Sequence, residues 1–528
     1  MTPHSPLLQL ARIVAKDMAR GGNSRGLQDI GNALASHLDS AREVLELLFV
    51  EARKKRPKPG LVTAFLFMLQ QALEETRWRI ENQSSESTGL IDNVRALVAE
   101  AALKDQLAPE LVLMLAQCFA AAKLDIGEDI RRVLGSSVNR LPVGHEIANE
   151  SGDFEAHLGK LARDLDNDSF LLHAKLAETF TGFPKEQRIE LIATLVFSGV
   201  SSLREAAMGW LLDPDPSIAI AVANLLTQAA GKGLVSGVTT NRLINMRNWV
   251  DEDRRPAVDV AIRAMRQLGA TATMPSVQIG RIVASSCDGA GAQSFFVLTR
   301  QKRKQSAACL LVKHGFGIRD AWVARGMSNQ EVEALLGQIE FGVGGWNASL
   351  DAVQMALAHG LAINTKTREP IPFALLQFIE ATGLPAVNPI YLQPEQLVGR
   401  LCEEIPENKK DKTAISRAVA ASKHWSNAFA WVNSWFDDND AVLEAVRSAK
   451  TIKARTEAVL LGTVSEHRKR WAELLAWNAL AARDDGDSTE WVDLALVARE
   501  LLGNRPIADI PLAVTIARNC VNATVDRL

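Results

Sequence analysis

The stretch from Ser202 to Gly269 constrains the fold of this chain most, because it repeats a pattern of paired amphipathic helices. Leu203, Ala206, Ala207, Trp210 and Leu211 fall at i, i+3, i+4, i+7 and i+8, which lays one apolar stripe along a helix. Ser202 with Glu205 has the spacing of a capping box, in which each side chain satisfies a backbone N–H of the first turn. Asp213-Pro214-Asp215-Pro216 ends that helix, and Asp215 can cap a new one with Pro216 at its first position. Ile218, Ala221, Val222, Leu225, Leu226 and Ala229 carry the second stripe, with Gly231 placed to end it in a left-handed turn.

Roughly forty residues after Ile218 the pattern recurs, a spacing typical of helical repeats. Pro256 stands near a helix start, Val258, Ala261, Ile262, Met265 and Leu268 lie along one face, and Gly269 ends it. A preceding helix over about Thr240 to Val250 supplies its partner. Upstream, Phe170–Phe180 and Lys185–Val196 make a further pair around Pro184. These pairs resemble HEAT repeats, which stack into a solenoid because no single pair buries its own apolar face. The resemblance spans roughly residues 169–269. It departs from the HEAT pattern where Ala219 and Ala221 stand in place of an arginine early in the second helix. It implies an armadillo-like α-solenoid and, by analogy, a surface that binds protein or nucleic acid, with no site residue to carry over.

The rest of the chain divides around this centre. Residues 1–140 read as a helical N-terminal region dominated by leucine and alanine, in which Asn82 to Gly89 is expected as a polar loop. Arg53-Lys54-Lys55-Arg56-Pro57-Lys58-Pro59-Gly60 is a basic connector that its prolines keep extended. A first boundary is expected over Leu141 to Gly152, and the repeats occupy 153–270. A small mixed element follows over 275–365, with a β-hairpin near 293–313 made of two short apolar runs around a polar, basic turn. Ser328 and Glu331 again have capping-box spacing. The five prolines of Pro370 to Pro394 argue for an irregular linker with one short helix over Phe373 to Ala381. A helical C-terminal domain, 394–528, holds six of the eleven tryptophans, read as core. The expected fold class is mainly α.

Composition excludes several classes of function. A net charge of -3 argues against a surface wholly committed to nucleic acid or anionic membrane, although it permits local basic patches. Cys118, Cys287, Cys309, Cys402 and Cys520 are spread singly, which suits buried thiols in a reducing compartment. No run approaches the roughly eighteen apolar residues of a membrane span, so the expected location is cytoplasmic, with no membrane partner.

Metal-binding and redox motifs are missing from the sequence. No Cys-x-x-Cys or His-Glu-x-x-His occurs, and Gly289-Ala290-Gly291 lacks the third glycine of a dinucleotide fingerprint. His145, Glu146 and Glu150 are the closest metal-like grouping and fall in the first boundary. Cys287 sits in a small, polar stretch, but Asp288 beside it works against an activated thiol. No metal or cofactor is expected, and catalytic residues are unknown. The expected function is a non-enzymatic scaffold or adaptor that binds a protein partner on its helical-repeat surface. The alternative is nucleic-acid binding, resembling the HEAT-like DNA glycosylases. Its candidate contacts are Arg300, Lys302, Arg303 and Lys304 in the hairpin turn, backed by Lys313, and Arg255, Arg263 and Arg266 on the last repeat helix, among further repeat arginines such as Arg242, Arg247 and Arg254.

Overall fold

The structure is a computed structural model describing residues 6–21, 30, 34, 37, 39–81, 85–138, 151–269, 276–301, 304–342, 344–486 and 489–525. Among these residues the chain is mainly helical, with one five-stranded antiparallel sheet. It divides into two compact units, Met1–Ala207 and Met208–Leu528.

The first unit is built on α1 (Pro6–Ala19), α2 (Ser40–Ala52), α3 (Pro59–Glu81), α4 (Ser85–Leu103), α5 (Pro109–Ala121) and α6 (Glu128–Val138). Its centre is α3, whose Leu61, Ala64, Phe65, Met68, Leu69, Ala72 and Leu73 are buried at helical spacing against α1, α2 and α5. The polar loop expected over Asn82–Gly89 is a helix from Ser85 onward, since serine is at home in a first helical turn. The expected boundary at Leu141–Gly152 lies almost wholly outside the described residues. Four helices complete the unit: α7 (Ser151–Asp164), α8 (Ser169–Phe180), α9 (Lys185–Phe197) and α10 (Ser201–Ala207). Asp168 caps α8 by accepting N–H bonds from Phe170 and Leu171 at 2.8 and 3.1 Å. Ser202 does not cap: α10 begins one residue earlier, and the Ser202 hydroxyl meets Asn167 Oδ1 at 3.4 Å instead.

The second unit opens with a short 3-10 turn, Met208–Leu212, followed by α11 (Pro216–Gly231), α12 (Gly237–Met246) and α13 (Arg255–Gln267). Asp215 caps α11 through Ser217 N–H at 2.8 Å with Pro216 in the first turn, as its sequence predicts. The left-handed residue at the other end is Gly233 rather than Gly231. Gly233 N–H bonds Ala230 O and Leu234 N–H bonds Ala229 O, the paired pattern that closes a helix around a glycine at positive φ. Val258, Ala261, Ile262 and Met265 of α13 are buried, and the helix packs on α11 and α12.

The sheet runs β4-β3-β2-β1-β5, with β1 (Gln278–Ser285), β2 (Ala292–Gln301), β3 (Lys304–Lys313), β4 (Gly317–Met327) and β5 (Gly345–Asn347). The expected hairpin is β2–β3, in unbroken register from Ala292 opposite Lys313 to Gln301 opposite Lys304. Phe295 and Val297 of β2, with Ala308 and Leu310 of β3, form a buried face, and α15 (Leu350–Thr367) and α16 (Ala374–Thr382) pack on the sheet. Phe296 and Leu298 point to the other face, against Val332, Leu336 and Ile339 of α14 (Asn329–Gly342). Ser328 and Glu331 form the expected reciprocal cap of α14: Glu331 Oε2 accepts Ser328 N–H at 2.7 Å, and Ser328 Oγ accepts Glu331 N–H at 3.3 Å. At the edge strand, the Asn364 amide takes Ile318 N–H at 2.7 Å and donates to Ile318 O at 3.3 Å, standing in for a neighbouring strand.

The longer C-terminal helices are α17 (Pro394–Glu404), α18 (Lys412–Ala421), α19 (Asp440–Ser448), α20 (Ile452–Val459), α21 (Arg468–Ala482), α22 (Glu490–Leu502) and α23 (Pro511–Val525), with a single helical turn at Trp425–Ala428 between α18 and α19. From Leu474 to Ala482, α21 is buried on every face, and Trp435, Trp471 and Trp477 are fully enclosed, as expected for core tryptophans.

Candidate functional site

At the tip of the β2–β3 hairpin, Arg300 and Lys304 are exposed, and the register adds Arg325 of β4, opposite Ser306, at the same end of the sheet. Lys302 and Arg303 lie outside the described residues. Lys313 does not back this turn. It sits at the far end of β3, buried, with its ammonium 4.6 Å from the centre of the Phe316 ring.

The arginines of α12, α13 and their connection divide into two groups. Arg242 makes a two-pronged pair with Glu380 at 2.7 and 2.9 Å, and Arg247 does the same with Asp259 at 2.5 and 2.9 Å. Arg254 donates to the Asp213 and Pro214 carbonyls at 2.6 and 3.0 Å. Arg255 turns back onto the connection before α13, where Val250 O accepts from Nε at 3.1 Å. Arg263 and Arg266 are exposed and share the outer face of α13. Four of these six guanidinium groups are therefore held by partners within the unit, which leaves Arg263 and Arg266 as the pair available to a phosphate or a carboxylate from outside.

The loop after β1 is clamped to α21. Asn478, fully buried, accepts Cys287 N–H at 2.8 Å and donates to Cys287 O at 3.2 Å, while Trp435 Nε1 donates to the same carbonyl at 3.2 Å. Gly289 N–H bonds Ser434 Oγ at 3.0 Å, and Arg470 donates to Gly289 O at 2.5 Å. Burial, then the Asp288 charge, push the Cys287 thiol well above its ordinary value, so it stays protonated and unreactive. Gly289 serves this clamp, and Gly291, at positive φ, turns the chain so that its carbonyl accepts His314 N–H at 2.8 Å.

Beside the clamp, Asp437 receives His467 Nδ1 at 2.9 Å and Arg470 Nη1 at 3.3 Å. The hydrogen bond to Asp437 raises the His467 pKa; burial and Arg470 oppose it, and Glu466 adds to it. Because the folded-state value lies above the unfolded value of about 6.5, the contact stabilises fully below about pH 6.5 and loses its contribution as pH rises through the folded value. The stability gap between the native protein and His467→Gln should therefore shrink as pH rises from about 6.5 through the folded value, measured by urea denaturation. A gap constant over that range would contradict the assignment.

Four rings stack from the surface inward. Tyr391 lies 5.1 Å from His359, His359 5.0 Å from Trp477, and Trp477 4.4 Å from His314. Leu392 N–H donates to His359 Nδ1 at 3.1 Å, so the ring proton is on Nε2, which lies 3.4 Å from Glu473 but too poorly aligned for a hydrogen bond. Gln293 Nε2 donates to Ser285 O at 3.1 Å, which leaves Gln293 Oε1 to accept from His314 Nε2 at 3.1 Å. Burial and then His359 hold the His314 pKa well below its ordinary value. The stack runs from the exposed Tyr391 into the core. Among the described residues, no group of three His, Cys, Asp or Glu side chains could hold a metal ion. A cleft lined by Leu211, Trp249, Arg254, Thr365, Arg368 and Ile371 offers about 30 Å³, room for about two water molecules.

Comparison with known proteins gives one consistent result along the chain. Residues 8–126 match a family model described as "Uncharacterised protein y4lR N-terminal domain", residues 184–269 match "Y4lR second domain", and residues 395–525 match "Y4lR C-terminal helical domain". The chain is similar to y4lR. The protein of that name from Sinorhizobium fredii (strain NBRC 101917 / NGR234), described as "Uncharacterized protein y4lR", is 23% identical over 468 residues, covering 85% of this chain and 87% of its own length. No solved structure matches. The "Y4lR second domain" segment contains α11 to α13, whereas none of the three matched segments reaches the sheet.

Sequence reasoning missed Asn478, Arg470, Asp437 and Arg242 as organising residues. Each acts on a partner far along the chain, from 30 residues for Asp437–His467 to 191 for Asn478–Cys287, and no local spacing announces such a pair.

Proposed function

We propose that this protein is a non-enzymatic, cytoplasmic scaffold or adaptor that binds a protein partner on a HEAT-like helical-repeat surface. The outer face of α13 carries the reading. With Val258, Ala261, Ile262 and Met265 turned inward, Val260 is left 43% exposed and Leu268, just beyond the helix, 55% exposed, with exposed Arg263 and Arg266 between them. Arginine is enriched in protein interfaces over ordinary surface, and the exposed apolar side chains beside it extend the patch that a partner can cover. The packing of α11 and α12 on α13 is consistent with a repeat stack in which one helix of each unit faces outward.

The test is Val260→Glu with Leu268→Glu in the full chain, compared with the native protein by quantitative cross-linking in the source cell. A specific partner should fall at least about tenfold while the melting temperature stays within a few degrees, because surface substitutions usually cost under about 0.5 kcal/mol. Unchanged recovery of every partner would overturn the reading.

A second reading, nucleic-acid contact, is favoured by the grouping of Arg300, Lys304 and Arg325 on three neighbouring strands. Three phosphate contacts would give a log-log salt slope near about -2.7 for duplex DNA. Anisotropy with Arg300→Glu, Lys304→Glu and Arg325→Glu together decides it: binding that the variant retains, or no binding at low salt, removes this reading.

A further inference from the structure

We propose that the first unit docks on an anionic phospholipid surface through the connection between α2 and α3. Five positive charges, Arg53, Lys54, Lys55, Arg56 and Lys58, follow one another there, and every residue from Arg53 to Gly60 is exposed. The connection is braced. Glu51, only 2% exposed, accepts Lys58 N–H at 3.0 Å and Lys54 Nζ at 2.5 Å, so the nearest carboxylate is spent on holding the loop. Arg53 lies 5.5 Å from the centre of the Phe49 ring and donates to Gln106 at 2.5 Å, which ties this connection to the one between α4 and α5.

That second connection supplies what a phosphate-only partner would not need. Leu103 is 70% exposed beside the exposed Lys104, and Val50, in the last turn of α2, is 49% exposed. Apolar side chains this open to water gain from the boundary between headgroups and acyl chains and gain nothing from a nucleic-acid backbone. The stretch offers no exposed aromatic side chain on which a base could stack. Three exposed acids stand nearby, Glu100, Asp105 and Glu110, and Glu100 is paired with Lys104 at 2.5 Å, so the cations remain in excess. The net charge of -3, which speaks against a membrane partner for the chain as a whole, does not describe this edge. Each lysine or arginine held near an anionic bilayer adds about fivefold to partitioning.

The experiment is vesicle sedimentation of the full chain. Vesicles of phosphatidylcholine alone are compared with vesicles containing one part phosphatidylglycerol to two of phosphatidylcholine, at low and at physiological salt. Binding to the anionic vesicles should exceed binding to the neutral ones and weaken with salt. Lys55→Glu, Arg56→Glu and Lys58→Glu together should lower it by about a hundredfold or more. Leu103→Ser should lower it several-fold with salt dependence intact, which separates insertion from charge. Thermal melts of each variant check that the unit is folded. The proposal is overturned by equal binding to neutral vesicles, by binding that charge reversal leaves in place, by no binding at low salt, or by retention on duplex DNA or RNA without retention on vesicles.

Discussion

Gly289→Ala should cost the second unit at least about 3 kcal/mol of stability, the largest effect expected of a methyl added at any glycine among the described residues. A Cβ at this position would stand 1.9 Å from Ser434 O, 2.6 Å from Ser434 C and 2.7 Å from Trp435 Cα. All three are backbone atoms, so no rotamer change relieves the overlap. The loop after β1 would have to lift away from α21, breaking the Gly289 N–H bond to Ser434 and loosening Cys287 from Asn478 and Trp435. Gly399→Ala is the control. It lies within α17 with nothing within 4 Å of the added carbon, and it should stabilise by about 0.5–1 kcal/mol because alanine is the better helix former. Equal urea midpoints for the two variants would show that the clamp is not as described.

Arg242→Met should cost about 3–5 kcal/mol, because it strands Glu380 in a site where the carboxylate is 13% exposed and its partner 10% exposed. The pair spans 138 residues of sequence and joins α12 to α16, so it ties the helical repeats to the helix that packs on the sheet. Adding Glu380→Leu should recover most of the loss, since two apolar side chains of similar volume need no counter-charge. A double-mutant cycle in urea measures both terms. A single-variant cost below about 1 kcal/mol, or a double variant no better than the single, would mean that the pair is as solvated as an ordinary surface ion pair.

These two expectations mark where sequence reading stops. Asp215 with Pro216, Ser328 with Glu331, and the β2–β3 hairpin were legible because each is local: the cap and its N–H are two or three residues apart, and the two strands follow one another directly in sequence. Gly231 misled by two positions because a Schellman closure is decided by which carbonyls the last N–H groups reach, and Gly233 reaches them. Gly289-Ala290-Gly291 was legible as a poor phosphate loop but not as a close backbone approach to Ser434, which lies 145 residues away. The same limit governed the candidate site. Arginines counted at helical spacing gave no hint that Arg242, Arg247, Arg254 and Arg255 would be held by partners inside the unit, leaving Arg263 and Arg266 outward.

The central claim is that the outer face of α13 meets a protein. The most direct measurement replaces Arg263 with the photo-cross-linking residue p-benzoylphenylalanine in the full chain, expressed in its source cell, with Glu333 on α14 replaced as the control. The account predicts one recurrent protein attached at position 263 and not at position 333, and its loss when Leu268→Glu is added. Attachment to nucleic acid at position 263, or the same set of adducts at both positions, would contradict it.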